Sequence, residues 1–268
     1  MSFRIGAVSY LNTKPLIHYL SRELPGARLS LDLPSRLAEG LHAGELDVAL
    51  IPSIELFRSP ENNLSIVSDA CIACRGPVWS VQLLFRTRPE QVRTLALDEG
   101  SRTSAALAQI LLLDRFGIRP ELQQLPIGSP AETADADAVL VIGDRALRGW
   151  GAEFCEVWDL GDQWCRATEL PFVFAMWVAR PVSDVAALAA GLEAARDAGV
   201  RAAREIAASQ AEHYGLTVDA CANYFQKFLH FQLGVREQRG LELFYQRSVE
   251  VGLAPAGRDH LLLLQSTT

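Results

Sequence analysis

Clusters of basic residues are missing from this sequence. Lys and Arg together number 25 against 32 Asp and Glu, so the net charge at pH 7 is −7. Binding to nucleic acids and polybasic attachment to membranes both depend on clustered cations that neutralise phosphate groups. The sequence therefore predicts no nucleic-acid partner and no membrane partner.

Long hydrophobic runs are missing as well. No stretch approaches the ~18 apolar residues that a membrane helix needs. The first ten residues, MSFRIGAVSY, lack the basic and hydrophobic segments of a secretory signal, so we expect a cytoplasmic protein. Apolar residues still make up 49% of the chain and charged residues 21%. This composition predicts a folded chain with a large core.

Cysteine and histidine are too few and too scattered to indicate a metal site or a disulfide framework. The chain contains five of each. Cys71 and Cys74 form a single C-x-x-C pair, for which two reduced, buried thiols are the simpler interpretation. Each histidine falls in a predicted helix or in the C-terminal tail. We therefore expect no metal site.

Strand and helix patterns alternate along the first two thirds of the chain. A helix is predicted at Ala105–Phe116, where Gly117 ends it, and a loop at Trp164–Pro171. From Ser183 onward only helices are predicted. Strands are predicted at Phe3–Ser9, Arg28–Leu33, Asp47–Ile51, Trp79–Arg86, Thr94–Asp98, Glu121–Leu125, Ala138–Ile142 and Phe172–Ala179.

This alternation predicts an α/β protein with mostly parallel sheets. The pattern restarts at Thr94, which indicates a second α/β lobe inserted into the first. We expect a two-lobed fold of the type II periplasmic-binding-protein kind, with Trp79–Arg86 and Phe172–Ala179 as crossover strands and a helical C-terminal region. The first lobe would comprise residues 1–86 and 175–268, and the second lobe residues 87–174.

Small polar residues follow the predicted strands, at the edge where α/β sheets bind ligands. Any one of these residues has an ordinary explanation as a helix N-cap. Together, beside helix N-termini that favour anions, they predict a site for a small carboxylate. The candidates are Ser9, Asn12, Thr13, Ser53, Ser101, Thr103 and Ser104, with Gly143 and Asp144 after a further strand and Arg102 and Arg75 as nearby cations.

Several motifs stand in a recognisable order along nearly the whole chain: Val8–Leu16 (VSYLNTKPL), Gly44–Glu55 (GELDVALIPSIE), Gly76–Ser80 (GPVWS), Gly100–Ser104 (GSRTS), Ile142–Asp144 and Tyr224–Phe225. In this order the sequence resembles the chorismate dehydratase family of the futalosine route to menaquinone. The resemblance implies a hydro-lyase that converts chorismate, a dicarboxylate, to 3-[(1-carboxyvinyl)oxy]benzoate and water without a cofactor.

The resemblance also implies roles for particular residues. Asn12 and Ser80 match the active-site asparagine and serine of the family, and Ser101 to Ser104 match a carboxylate-binding turn. None of the motif residues is an obvious general base. We therefore hypothesise that the enolpyruvyl carboxylate of the substrate takes the proton, with Glu55 or Asp144 as the alternative bases.

Two other functions remain open from the sequence. One is a non-catalytic protein of the same fold that binds a small anion as a solute or an effector. The other is the related naphthoate synthase of the same pathway, for which we expect a cleft histidine after a strand of the second lobe. Here that region reads Gly143, Asp144, Arg145, without a histidine.

Overall fold

The structure of the chain is a computed structural model, which describes residues 3–59 and 64–257. The C-terminal part of the predicted first lobe, residues 258–268, lies outside the described residues. The strands are β1 (Arg4–Val8), β2 (Arg28–Asp32), β3 (Val48–Pro52), β4 (Ser65–Cys74), β5 (Val81–Phe85), β6 (Thr94–Asp98), β7 (Glu121–Leu125), β8 (Ala138–Ile142), β9 (Glu156–Asp159), β10 (Phe172–Ala179) and β11 (His230–Gln232).

The helices alternate with these strands up to β10 and then dominate the chain. Of the helices in the described ranges, none has the length and apolar character to cross a membrane. The helices are α1 (Lys14–Ile17), α2 (Leu20–Glu23), α3 (Pro34–His42), α4 (Ser53–Arg58), α5 (Thr103–Phe116), α6 (Leu160–Thr168), α7 (Val185–Arg201), α8 (Ala203–Gln210), α9 (Val218–Asn223) and α10 (Val235–Glu250), and a π-helical turn, Tyr224–Phe228, follows α9.

The strands form two sheets, as the two-lobed prediction requires. The first sheet has the order β11-β4-β10-β3-β1-β2, and the second has the order β7-β6-β8-β5-β9. The sheets are mixed, which differs from the predicted mostly parallel pairing. The β1, β2 and β3 strands run parallel, whereas β10 pairs antiparallel with both β3 and β4. In the second sheet β5 pairs antiparallel with β8 and β9.

The chain passes between the sheets at loops and not within long strands. Val81–Phe85 pairs only with strands of the second sheet, and Phe172–Ala179 pairs only with strands of the first. The predicted lobe boundaries at residues 86 and 174 fall just after β5 and within β10. The chain leaves the first sheet after Cys74 and returns to it at Phe172. The returning strand starts at the edge where β3 ends, so it must run antiparallel to β3.

Four elements were not predicted from the sequence. The ten-residue strand β4 and the short strands β9 and β11 belong to the sheets, and α6 occupies part of the predicted loop Trp164–Pro171. In contrast, α5 ends at Phe116 as predicted. Gly117 there adopts φ +70 and donates its N–H to the Leu113 carbonyl, a left-handed cap that glycine favours.

Aromatic side chains from α4, α6, β10 and α10 pack together in the core. Phe244 of α10 contacts Phe172 of β10, with ring centroids 4.9 Å apart, and Phe57 of α4 at 5.5 Å. Trp164 of α6 joins the same cluster, 5.2 Å from Phe172. Trp164 and Phe172 are less than 2% exposed. This burial of large rings holds α6, next to the second sheet, against the first.

Candidate active site

The two sheets direct their binding edges toward each other. The parallel strands β1 and β3 end at one edge of the first sheet, and β10 begins there, since Ala175 pairs with Pro52. In the second sheet β6 and β8 end at one edge, and β5 begins there, since Val81 pairs with Ile142. Residues just before β5 and in the first half of β10 therefore join the strand ends that the sequence identified.

A cavity lies between these edges. Its empty space, including the open mouth, is about 580 Å³. No Asp, Glu or His side chain lines it among the residues that the structure describes. It is lined by Val8, Tyr10, Asn12, Pro34, Leu50, Pro52, Ile72, Val78, Ser80, Val81, Gly100, Arg102, Thr103, Ser104, Ile142, Gly143, Phe174 and Ala175.

Asn12 reaches this cavity from the turn after β1. It lies in a single 3₁₀ turn, Leu11–Thr13, and its side-chain carbonyl Oδ1 accepts a hydrogen bond from the Thr13 hydroxyl at 3.2 Å. Thr13 itself is fully buried and does not line the cavity. Because Thr13 occupies the carbonyl oxygen, the Asn12 amide NH₂ is the group that remains to donate to a ligand.

Ser80 reaches the same cavity from the second sheet. It is 1% exposed, and its carbonyl accepts the Gly143 N–H at 2.8 Å. Burial raises the pKa of the nearby Tyr224 phenol, and the Ser80 side chain opposes this rise. The structure thus brings together the two residues that the sequence predicted as catalytic.

The N-terminus of α5 supplies three further lining residues, Arg102, Thr103 and Ser104. The first amides of a helix have no partner within the helix, and they favour an anion. Arg102 is exposed, and in the described part of the chain it forms no ion pair. Arg102 thus lies at the cavity, and its binding of a substrate carboxylate stays a prediction. Arg75, in contrast, pairs with Glu237 at 2.8 Å and does not line the cavity.

Ser53 and Thr103 connect the two lobes instead of both facing the cavity. Their hydroxyl oxygens lie 3.3 Å apart, and Ser53 also donates to the Val173 carbonyl at 2.9 Å. Thr103 accepts the N–H of Ile54 at 3.3 Å. The predicted ligand donor Ser53 is therefore fully buried and outside the lining. Its hydroxyl holds α4 and α5 together.

Two other predicted donors also lie outside the lining. Ser9 is exposed, and its carbonyl accepts a hydrogen bond from the Tyr214 hydroxyl at 3.3 Å. Ser101 is buried, its N–H donates to the Asp98 carbonyl, and its hydroxyl has no partner in the described ranges. Ser101 therefore belongs to the turn that precedes α5.

Asp144 faces the turn that carries Asn12. One of its carboxylate oxygens accepts the N–H of Leu11 at 3.0 Å, a hydrogen bond between the lobes. Burial raises the pKa of Asp144 to about 6, although the Leu11 hydrogen bond opposes this rise. Asp144 does not line the cavity. Its neighbour Gly143 does, with φ +64, a conformation that favours glycine.

Tyr10 is a polar lining residue that the sequence analysis did not name. Its ring lies against Gly143, and its hydroxyl lies against Gly100, where a Cβ would come within 2.8 Å of it. Burial and the carboxylates of Asp98 and Asp144 raise the pKa of Tyr10 to about 12. From the sequence alone, a tyrosine between a strand and a helix is interpreted as a core residue. The two glycines that accommodate its ring come from distant parts of the chain, so the sequence contained no local signal.

A buried carboxylate supports the wall of the cavity from behind. Asp98, 4% exposed, accepts the N–H of Gly100 at 3.1 Å and lies 3.6 Å from the guanidinium of Arg145. Burial raises the pKa of Asp98, while Arg145 opposes the rise. Within residues 3–59 and 64–257, no group of three His, Cys, Asp or Glu side chains is placed to hold a metal ion.

The fold has close structural relatives. A protein from Archaeoglobus fulgidus matches with a TM-score of 0.68 at 14% identity, over 94% of this chain and 98% of that one. The periplasmic aliphatic sulphonate binding protein SsuA from Escherichia coli matches with a TM-score of 0.65 at 16% identity, over 95% and 89% of the two chains. Identities this low show the fold alone, and they confirm the predicted periplasmic-binding-protein architecture.

Comparison of the sequence with known proteins identifies the family, which the shared fold alone does not. A family model described as menaquinone biosynthesis matches residues 3–250. The chorismate dehydratase of Thermus thermophilus is 31% identical over 257 residues, which cover 90% of this chain and 93% of that protein. Matches of this extent confirm the resemblance drawn from the motifs, and this chain belongs to the menaquinone biosynthesis family as a relative of chorismate dehydratase.

Proposed function

We propose that this chain is a hydro-lyase that converts chorismate to 3-[(1-carboxyvinyl)oxy]benzoate and water in the cavity between its lobes. The observation that carries the proposal is that Asn12 and Ser80, from different lobes, line one cavity with neutral donors around them. The chorismate dehydratase name of the Thermus thermophilus relative supports the choice of substrate.

The N-terminus of α5 would bind the ring carboxylate. Its unpaired amides, the Ser104 hydroxyl and the unpaired Arg102 guanidinium offer donors at one end of the cavity. Each hydrogen bond to a charged group contributes about 1.5–3 kcal/mol. These local donors outweigh the net charge of −7, which acts through solvent with a screening length of about 8 Å at physiological salt.

The reaction removes a proton from the ring carbon that carries the ether and a hydroxyl from the neighbouring carbon. The electron pair of the broken C–H bond enters the ring, the bond between the neighbouring carbon and its hydroxyl oxygen breaks, and the hydroxyl leaves as water with the proton that the base has removed. The ring becomes aromatic. The acidic C–H is a vinylogous neighbour of the ring carboxylate, so the charge that develops can spread onto that carboxylate. Hydrogen-bond donors to the carboxylate would therefore stabilise this charge.

The proton acceptor would be the enolpyruvyl carboxylate of the substrate itself. The cavity lining supports this proposal, since its described side chains include no carboxylate and no imidazole. Burial and neighbouring carboxylates raise the pKa of Tyr10 to about 12, which leaves its phenol protonated at neutral pH. A base within the substrate has a high effective concentration once its conformation is fixed.

Asn12 and Ser80 would fix that conformation. The Asn12 NH₂ group is free of the Thr13 contact, and the Ser80 hydroxyl lies near the Tyr224 phenol. Both are neutral donors, suited to orient a carboxylate without neutralising it as a base. The hydrogen bonds between Leu11 and Asp144 and between Ser53 and Thr103 would keep the lobes closed over the substrate and exclude water.

Incubation of the purified protein with chorismate, with no metal or cofactor added, tests this function. We expect the proton NMR spectrum to gain the aromatic signals of the product while the chorismate signals decline. The variants Asn12→Asp and Ser80→Ala serve as controls for a contaminating enzyme, since each should abolish most of the turnover. Chorismate that binds and persists unchanged would instead support the non-catalytic binding protein.

A further inference from the structure

The residue before Ser80 has an unusual backbone conformation. Trp79 adopts φ +65, and the other non-glycine residue with a positive φ in the described ranges is Glu169. A bulky side chain rarely occupies this left-handed region, and it persists there only where the surroundings enforce it. Strain of this kind occurs preferentially at functional sites, and here it directly precedes a predicted catalytic residue.

One carboxylate holds this strained segment. Asp159, at the end of β9, accepts the N–H of Trp79 at 2.6 Å and the N–H of Val78 at 3.0 Å. The same carboxylate accepts the N–H of Asp162 at 3.1 Å and so caps α6. Capping the helix uses only one of these three backbone donors. The other two belong to the loop that carries Ser80 into the cavity.

The indole of Trp79 is held as firmly as its backbone. Its ring centroid lies 5.7 Å from that of Tyr224 and 5.5 Å from that of Phe228, both in the π-helical turn. The Trp79 carbonyl accepts a hydrogen bond from the Gln82 side chain at 2.9 Å. The Tyr224 phenol also lies near the Ser80 side chain, which lowers the pKa of that phenol. The position of the Ser80 hydroxyl relative to Tyr224 therefore depends on the backbone angles of Trp79.

We propose that Asp159 is a positioning residue for the dehydration reaction: by binding the N–H groups of Val78 and Trp79, it places the Ser80 hydroxyl in the cavity. This inference rests on the proposed function for its kinetic consequences. Asp159 does not line the cavity, so it acts through Ser80 and not on the substrate.

The variant Asp159→Asn separates helix capping from positioning. Asparagine caps helices as well as aspartate does. Its single side-chain oxygen, however, cannot accept hydrogen bonds from the helix N–H and from both loop N–H groups. We expect kcat to fall by about 10- to 100-fold with little change in KM, the effect of a small displacement of a catalytic group. Asp162→Asn removes the same charge one helical turn later, from a carboxylate paired with Arg166, and should leave kcat unchanged.

A double-mutant cycle with Ser80→Ala distinguishes positioning from a general loss of stability. If Asp159 acts through the Ser80 hydroxyl, Asp159→Asn should change kcat by less than about twofold in the Ser80→Ala background. An equal factor in both backgrounds, or a wild-type kcat in Asp159→Asn alone, overturns the proposal. Asp159→Ser, which also caps helices but is too short for the loop amides, replaces Asp159→Asn if that variant does not fold.

A crystal structure of Asp159→Asn tests the geometry without an activity assay. We expect Trp79 to leave the left-handed region and the Ser80 hydroxyl to move away from Tyr224. Unchanged positions of Trp79 and Ser80 overturn the inference. This result stands even if the wild-type protein does not convert chorismate, so failure of the inference and failure of the proposed function are distinguishable.

Discussion

Tyr10 of the first lobe lies against Gly143 of the second, where a Cβ atom would come within 3.4 Å of the tyrosine ring. The ring therefore packs on the glycine backbone across the cleft. Gly143 also follows β8 with φ +64 and donates its N–H to the Ser80 carbonyl. One small residue thus links the tyrosine wall of the cavity to the loop that carries Ser80.

Replacement of Gly143 by alanine should reduce both stability and turnover. The left-handed conformation costs a non-glycine residue about 1–3 kcal/mol, and relaxation of that strain would move the Gly143 N–H that binds the Ser80 carbonyl. Gly128→Ala is the matched control, because Gly128 has φ +85 and open space around its Cβ position. We expect thermal denaturation to show comparable losses for both variants and the chorismate assay to show a loss for Gly143→Ala alone. Equal activities of the two variants would contradict a role of Gly143 in placing Ser80.

Replacement of Asn12 by aspartate should abolish most of the activity. The substitution exchanges the free amide donor for an anionic oxygen next to an anionic substrate, and turnover should fall by at least about 100-fold. Thr13→Val is the graded control, because it removes only the hydrogen bond that orients Asn12. A net hydrogen bond is worth about 0.5–1.5 kcal/mol, so that variant should lose about 2- to 13-fold. Unchanged turnover in Asn12→Asp would exclude the assigned role.

The identity of the base can be tested with two amide variants. If Glu55 or Asp144 were the general base, its amide variant should bind chorismate normally and lose turnover by about 10²–10⁴-fold. With the substrate carboxylate as base, Glu55→Gln and Asp144→Asn should each lose far less. Glu55 lies outside the cavity lining and pairs with Arg58 at 3.7 Å. Steady-state kinetics of both variants would decide between these mechanisms.

Asp144 should also impose a pH dependence on stability. Burial raises its pKa from 3.8 to about 6, so the folded state binds a proton more tightly than the unfolded state. Its contribution to stability is complete below pH 3.8 and is lost as the pH rises through about 6. The difference corresponds to about 3 kcal/mol.

In Asp144→Asn this dependence should disappear, while the retained side-chain oxygen can still accept the Leu11 N–H. The free energy of unfolding of the variant relative to the wild type should therefore increase between pH 4 and pH 6, as measured by urea denaturation across this range. A constant difference over the range would show that the carboxyl group has an ordinary pKa.

Arg102→Gln should weaken substrate binding. The variant removes the unpaired guanidinium at the α5 end of the cavity, and KM should rise by about tenfold or more with a smaller effect on kcat. The affinity of the wild type should also fall with added salt more steeply than that of the variant. Arg166→Gln is the control, because Arg166 is exposed on α6 and pairs with Asp162. An unchanged KM in Arg102→Gln would place the substrate carboxylates elsewhere.

The sequence predicted the parts of the site that follow from local pattern. Asn12 and the α5 N-terminus come directly after buried strands, and the restart of the pattern at Thr94 indicated the second lobe. It did not predict β4, although Ser65–Cys74 is rich in apolar residues, because a strand buried on both faces lacks the alternating pattern that marks a strand. It also missed β9 and α6. Consequently Asp159, which is both the end of that strand and the cap of that helix, was not identified.

Local patterns determined where strands end and which short polar residues follow them, because periodicity and capping act within a few residues. Only the tertiary structure decided which hydroxyl faces the cavity. Ser53, Thr103 and Ser104 are equivalent in sequence terms, since a helix cap and a ligand donor require the same side chains. The Ser53 side chain lies outside the cavity because it contacts Thr103 and Val173, which are 50 and 120 residues away along the chain. Contacts between such distant residues depend on how the two lobes pack, and no local rule specifies them.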